Sequence, residues 1–282
     1  MNVGISLPLP AYHVDPAFIA RTAEALGFES LWCAEHPFVP VYTTSRFPGS
    51  PDGIIPESYA HFVDPFVALA RASAVTRRIQ LGTGVVLVPE RHPLLLAKEV
   101  ATLDLFSGGR FLFGVGAGWL REETQIMGGD FEHRWTQVRE SVLAMKELWT
   151  KTEAEFHGRY HSFPPVKSFP KPAQKPHPPI ILGGLAPNVL QRIVAWGDGW
   201  LPNRITPEQV RESRATLDGL AKDAGRDPSR ITISVYGQPA DRGLIRRFHQ
   251  AGATRVIIRP PAVGTEAEMG AQLTRIAEAV LK

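Results

Sequence analysis

Glu35 and His36 stand together at the end of a run, Glu29-Ser-Leu-Trp-Cys-Ala-Glu-His, that has the composition of a β-strand. A histidine at a strand end can give or take a proton near neutral pH, and the carboxylate beside it can tune that proton affinity through its charge. The same histidine can also be one satisfied by loop backbone. Gly82-Thr83-Gly84-Val85 and Gly114-Val-Gly-Ala-Gly-Trp, ending at Trp119, close two further β-rich runs. Glycine gives up packing and entropy in a buried strand, so it marks either a kink or a place where a ligand approaches the backbone. Two neighbouring strands ending this way would leave a flat, backbone-lined surface on which a planar ring could lie. Gly183-Gly184, ahead of Pro187 and Asn188 at a helix start, is either a tight turn or a set of free amides suited to a phosphate or carboxylate.

Other candidates carry less. Gly114-Val-Gly-Ala-Gly-Trp misses the dinucleotide fingerprint, because Trp119 stands where the last glycine is needed. His157 and His161 are four apart, but Gly158 interrupts the helix that would bring them to one face, and no further ligand accompanies them. Ser107-Gly-Gly lacks the frame of a nucleophile elbow.

The elements that position these residues alternate. Val3–Leu9 reads as strand, and Asp15-Pro16 starts a helix that Gly27 ends. After the Glu29–His36 strand comes a long irregular segment, then a helix opened by Asp64-Pro65. Strand Ile79–Leu87, helix Pro93–Phe106, strand Arg110–Gly118 and helix His133–Thr150 follow. A Pro-rich connector, Phe163 to Pro179, leads to strand Ile180–Leu182, helix Asn188–Trp196 and the short strand Gly199–Leu201. Helix Pro207–Ala224 with Thr206 as N-cap, strand Ile231–Tyr236, helix Arg242–Ala251, strand Arg255–Arg259 and helix Thr265–Leu281 complete the chain. Eight strands each leading to a helix in 282 residues predict an α/β chain, a single (β/α)8 TIM barrel over residues 1–282. An open doubly wound sheet is the competing architecture. In a barrel the chemistry gathers where strands end, which is where Glu35, His36 and the glycine runs fall. Segment 37–63 is long enough to form a lid over that face.

Composition bounds the partners. The chain has 31 Lys+Arg against 28 Asp+Glu, a net charge of +3, and its basic residues come as pairs rather than dense runs, which gives no support to a nucleic-acid partner. A single cysteine, Cys33, excludes an internal disulfide framework. No apolar run reaches the roughly eighteen residues of a membrane span, and no basic stretch precedes the first apolar residues, so a cytoplasmic location is the expectation; with no further ligand beside His157 and His161 and no HExxH pattern, no metal is expected.

Several strings, taken in order, resemble the luciferase-like monooxygenase superfamily, and within it the deazaflavin (coenzyme F420)-dependent oxidoreductases. They are Arg78-Ile-Gln-Leu-Gly-Thr-Gly-Val-Val-Leu-Val-Pro-Glu-Arg-His-Pro, Ala101-Thr-Leu-Asp-Leu-Phe-Ser-Gly-Gly-Arg, Gly114-Val-Gly-Ala-Gly-Trp, Arg121-Glu-Glu, His177-Pro-Pro-Ile and Asp198-Gly-Trp-Leu-Pro. The resemblance implies a (β/α)8 barrel with a flavin or deazaflavin at the strands' C-terminal ends, and a cis peptide in a strand bulge that falls by position at Gly84–Val85. It implies coenzyme contacts from Gly82, Thr83, Gly84 and Val85, from Gly116, Ala117, Gly118 and Trp119 with Glu122, and from Leu182, Gly183 and Gly184. It matches His36 to a histidine that acts on the substrate proton, with Glu35 as its neighbour. The string Glu35-His36-Pro37-Phe38, and the residues Trp119 and Glu122, depart from the sugar-phosphate members, which leaves the substrate open. The implied function is hydride transfer between coenzyme F420 and a small organic substrate, by a homodimer. Two alternatives stand beside it: an FMN-dependent two-component monooxygenase fed by a partner reductase, and a non-catalytic flavin or deazaflavin binding protein.

Overall fold

The computed structural model describes residues 1–282. β1 (Asn2–Ser6), α1 (Pro16–Leu26) and β2 (Ser30–Cys33) precede a long segment whose only regular piece is a 3-10 turn over Glu57–His61. Next come α2 (Pro65–Ala74), β3 (Gln80–Thr83), β4 (Val86–Leu87), α3 (Pro93–Ser107), β5 (Phe111–Gly116), α4 (Arg121–Ile126) and α5 (Arg134–Thr150). A hairpin of β6 (Ala154–His157) and β7 (Ser162–Val166) leads to β8 (Ile180–Gly183), α6 (Val189–Trp196), β9 (Gly199–Leu201) and α7 (Pro207–Asp223). β10 (Thr232–Gln238), α8 (Arg242–Gln250), β11 (Arg255–Ile258) and α9 (Glu266–Val280) end the chain.

Short polar side chains and prolines start the helices. The Asp15 carboxylate accepts from the Ala17 amide and Gly27 closes α1 at φ 94°, a left-handed conformation that glycine adopts without a Cβ clash. Asp64 caps α2 through the Phe66 and Val67 amides, and Thr206 forms a reciprocal capping box with Gln209 on α7. These caps are the signals legible in the sequence.

Strands β1, β2, β3, β5, β8, β9, β10 and β11 pair in parallel in that order, and β11 returns to pair with β1, Asn2 opposite Arg255. The sheet is therefore closed, a (β/α)8 barrel with helices between its strands. The expected strand Ile79–Leu87 divides into β3 and β4 around Gly84 and Val85, whose peptide is cis, and β4 pairs only with β5. β7 occupies the start of the segment expected to be a plain connector, and its partner β6 lies just ahead of that segment. Pro164 and Pro165 are accommodated in β7 because a two-stranded hairpin is all edge. Helix α4, at six residues, is too short to show a helical period in the sequence.

Two apolar layers result. The larger lies between barrel and helices. The smaller fills the barrel with Trp32, Leu112, Ile181, Leu201, Tyr236 and Ile257, with Val85 packed against them. Gly82 makes room for this plug, since a Cβ there would stand 2.5 Å from the Trp32 ring. At the N-terminal end Arg255 bonds Glu29 (2.8 Å), Ser234 (3.0 Å) and Gln80 (2.9 Å) and lies 5.8 Å from the Trp32 ring centre. No helix is long and apolar enough to cross a membrane.

Candidate active site

β2 ends at Cys33, and the chain carries His36 over the C-terminal mouth of the barrel. There the ring is 9% exposed and held at both nitrogens. Nδ1 lies 2.7 Å from Oε2 of Glu123, a fully buried residue of α4. Nε2 lies 3.2 Å from the Trp119 indole nitrogen. A carboxylate can only accept and an indole can only donate, so these partners place the imidazole proton on Nδ1 and leave the lone pair on Nε2. The arrangement gives a base whose orientation and tautomer are set from behind by a carboxylate, with its free lone pair covered by a displaceable donor.

Aromatic rings enclose this histidine. Tyr59, Phe62 and Trp119 lie 5.3, 5.4 and 5.6 Å from the His36 ring centre, and Phe47 packs edge-on to Tyr59 at 4.8 Å. Three of the four come from segment 37–63, which therefore closes against His36 with apolar faces. Burial raises the Tyr59 hydroxyl above its ordinary pKa, in the direction expected of a dry site.

The carboxylates predicted near the site have different occupations. Glu35 does not hold His36. Its Oε2 accepts from the Leu87 amide at 2.7 Å, and its Oε1 accepts from Arg91 Nε at 2.8 Å and also from Arg91 Nη2. Arg91 reaches on to Asp64 (2.6 Å) and Glu99 (3.2 Å), so Glu35 belongs to a joint between β4, α2 and α3. Burial pushes the Glu35 carboxyl up, with Arg91 opposing it. Glu122 anchors the long segment: its Oε1 accepts from the Thr44 amide (2.6 Å), the Thr44 hydroxyl (2.8 Å) and the Ser45 amide (3.2 Å). Burial works to raise this carboxyl, but the bonds from Ser45 and Thr44 prevail and hold it down at about 2.

The glycine runs form the floor. Val85, partly exposed at the mouth, lies between β5 and β8; a Cβ on Gly116 would come within 2.4 Å of it and one on Gly183 within 2.6 Å. The clearance that these two glycines provide is thus taken by the Val85 side chain rather than left as bare backbone. Gly84 rests on Tyr236, and Thr83 turns inward to bond both the carbonyl (2.8 Å) and the amide (2.9 Å) of Gly114. Leu182 is buried in the outer layer against Gly197, and Ala117 is also buried. Gly184 (φ 91°) faces open space, while Gly118 (φ 78°) sits beside Thr124 and Glu90. A low floor of Gly84, Val85 and Gly184, at the same end of the strands as His36 and Trp119, suits a flat ring; the fit rests on the open space at Gly184 and the partly exposed Val85.

Glu123, Tyr59 and Phe62 are not among the residues that the sequence marks, whereas Phe47 lies in the long loop read as a lid. For Glu123 a signal existed in the string Arg121-Glu-Glu, but which of two adjacent glutamates faces the histidine depends on a helix of six residues.

Comparison with known proteins agrees with this architecture. Residues 12–241 match the family described as luciferase-like monooxygenase, so the chain belongs to the luciferase-like monooxygenase family. An uncharacterised protein of Mycobacterium tuberculosis is 37% identical over 268 residues, 93% of this chain and 92% of the relative. The oxygenase component of the flavin-dependent trigonelline monooxygenase of Acinetobacter baylyi is 31% identical over 172 residues, covering 60% of this chain and 42% of that protein. Among solved structures, an F420-dependent secondary alcohol dehydrogenase in complex with an F420-acetone adduct superposes with a TM-score of 0.78 at 18% identity, covering 99% of this chain and 98% of that one, which is a likeness of fold.

Proposed function

We propose that this chain is a coenzyme F420-dependent oxidoreductase that moves a hydride between the deazaflavin and a small organic substrate, with His36 handling the accompanying proton. One observation carries the reading: a buried histidine backed by a carboxylate at 2.7 Å, its Nε2 turned into a ring-lined space at the barrel mouth. When bound, the deazaflavin supplies the acceptor or donor of the hydride. The floor residues Gly84, Val85 and Gly184 would hold its ring, with the strand ends at Gly116 and Gly183 shaping the floor through Val85. An alcohol losing a hydride must also lose its hydroxyl proton, and a carbonyl gaining one must receive a proton. His36 Nε2 is placed to accept or return that proton once the substrate oxygen displaces the Trp119 N–H. Glu123 keeps the ring oriented throughout and stabilises the charge that forms on it. Segment 37–63 acts as the lid, with Phe47, Tyr59 and Phe62 excluding water and Glu122 pinning its stem.

The second reading is an FMN-dependent monooxygenase, favoured by the likeness to the trigonelline monooxygenase over 60% of the chain. Fluorescence titration of the purified protein with coenzyme F420 and, separately, FMN tests both. Preferential binding of F420 at micromolar concentration or below, with no oxygen consumed on adding the reduced coenzyme, is the expected result. Preferential FMN binding with oxygen uptake would replace it by the monooxygenase reading. Tight binding with no turnover of any alcohol or carbonyl would leave a coenzyme carrier.

A further inference from the structure

Behind His36 lies a second carboxyl group. Glu90 ends the turn after β4 and is 5% exposed. Its Oε1 accepts from the Thr124 hydroxyl at 3.0 Å, while its Oε2 is buried with no hydrogen-bond partner. Glu123, the residue before Thr124, is in the same condition: Oε2 accepts from His36, and Oε1 is buried without a partner. Two carboxyl groups, one bonded to Thr124 and the other on the residue before it, each with a buried oxygen that lacks a donor, are costly unless one carries a proton. No cation is free to relieve them. Arg91, the basic residue nearest in sequence, is committed to Glu35, Asp64 and Glu99. Burial and the charges of Glu123 on α4 and Glu35 after β2 favour the protonated form of Glu90, and they outweigh the Thr124 hydroxyl and Arg91, which oppose it.

We propose that Glu90 is a positioning residue whose carboxyl keeps its proton and donates it to Glu123 Oε1, leaving Glu123 Oε2 to accept from His36 Nδ1. Thr124 fixes the other end of the Glu90 carboxyl. The chain Thr124–Glu90–Glu123–His36 thereby holds the tautomer in which Nε2 faces the substrate. Burial, reinforced by the charge on Glu123, pushes the Glu90 carboxyl up to about 8. The donor is therefore present at neutral pH. Above that value Glu90 loses its proton, two carboxylates face each other without a donor, and the support of His36 loosens.

The inference rests on His36 being the proton-handling group, but its test is read on the coenzyme-free protein. Infrared spectra of wild type and Glu90→Gln should show a protonated-carboxyl stretch that is present in the wild type at neutral pH, titrates near pH 8, and is absent from the variant. Nitrogen NMR of labelled histidine should show the His36 Nδ1–H resonance shifting in wild type in step with the Glu90 band. In Glu90→Gln, whose amide still donates but does not ionise, that resonance should hold its position across the same pH range. Glu90→Leu removes both the donor and the ionising group and should leave that resonance displaced from its wild-type position at every pH. Absence of a protonated-carboxyl band that Glu90→Gln abolishes, or a histidine spectrum of Glu90→Gln that titrates as wild type does, would overturn the proposal even if Glu90→Leu fails to fold. A wild type that binds neither coenzyme would remove the proposed function while leaving these spectra to decide the role of Glu90.

Discussion

The proposed chemistry concentrates, at the scale of residues, on His36. Its Nδ1 is tied to Glu123 and its Nε2 carries the lone pair, so replacing it removes a proton acceptor without touching the floor at Val85 and Gly184. His36→Ala is expected to lower turnover by about 10²–10⁴ while the F420 dissociation constant stays within a few-fold of wild type, measured by steady-state kinetics beside fluorescence titration. An equal loss of binding would make the residue a coenzyme contact instead. The residue was legible in the sequence because a strand end followed by a histidine is visible without knowing what the histidine touches. Its partner was not legible. Glu35 is adjacent in the chain yet points to Arg91, because successive residues beyond a strand end turn different ways, whereas Glu123, 87 residues away, supplies the carboxylate.

Between elements, small features carry large constraints. Glu122 on α4 receives three bonds from Thr44 and Ser45, and it is their main side-chain anchor. In Glu122→Ala, limited proteolysis should cut segment 37–63 faster than in wild type, and KM should rise more than kcat falls. The pKa of this carboxyl is depressed, so the anchor's contribution is present above the ordinary glutamate value of 4.5 and is lost as pH falls toward about 2. The barrel mouth supplies a second test. Gly116→Ala would bring a Cβ within 2.4 Å of the Val85 side chain and should cost about 1–3 kcal/mol in denaturant unfolding. Val85→Ala in the same chain should recover most of that loss, because the clash is with its methyl group. No recovery would mean that the strain lies in the backbone of β5. The sequence marked Gly116 and Gly183 as special, but it did not reveal that a side chain from β4's approach fills the space between them.

At the scale of the whole molecule the two ends of the barrel are built differently. The N-terminal end is closed by Arg255, which links β11 to Glu29, to Gln80 on β3 and to Ser234 on β10 while lying under Trp32. Arg255→Ala leaves Glu29 without its cation and opens the space below the plug. An expected loss of about 3 kcal/mol follows, read as a lower denaturation midpoint. Coenzyme affinity should be unchanged in the surviving folded fraction, because the mouth lies at the opposite end of the strands. A parallel loss of affinity would show that the plug transmits strain to the floor.

The sequence by itself determined the alternation of strands and helices, the caps that start and stop them, and the positions of strand ends. Those signals are local: periodicity, glycine, proline and capping side chains act within a few residues. It also placed His36 and the glycine runs at one end of a barrel, since parallel strands share a direction. Only the tertiary structure decided that the sheet closes, through β11 pairing with β1, and that Glu123 rather than Glu35 holds His36. It also decided that Phe47, Tyr59 and Phe62 wall the site. Those outcomes depend on which side chains meet across tens of residues, and that is set by packing around the barrel rather than by anything adjacent in the chain.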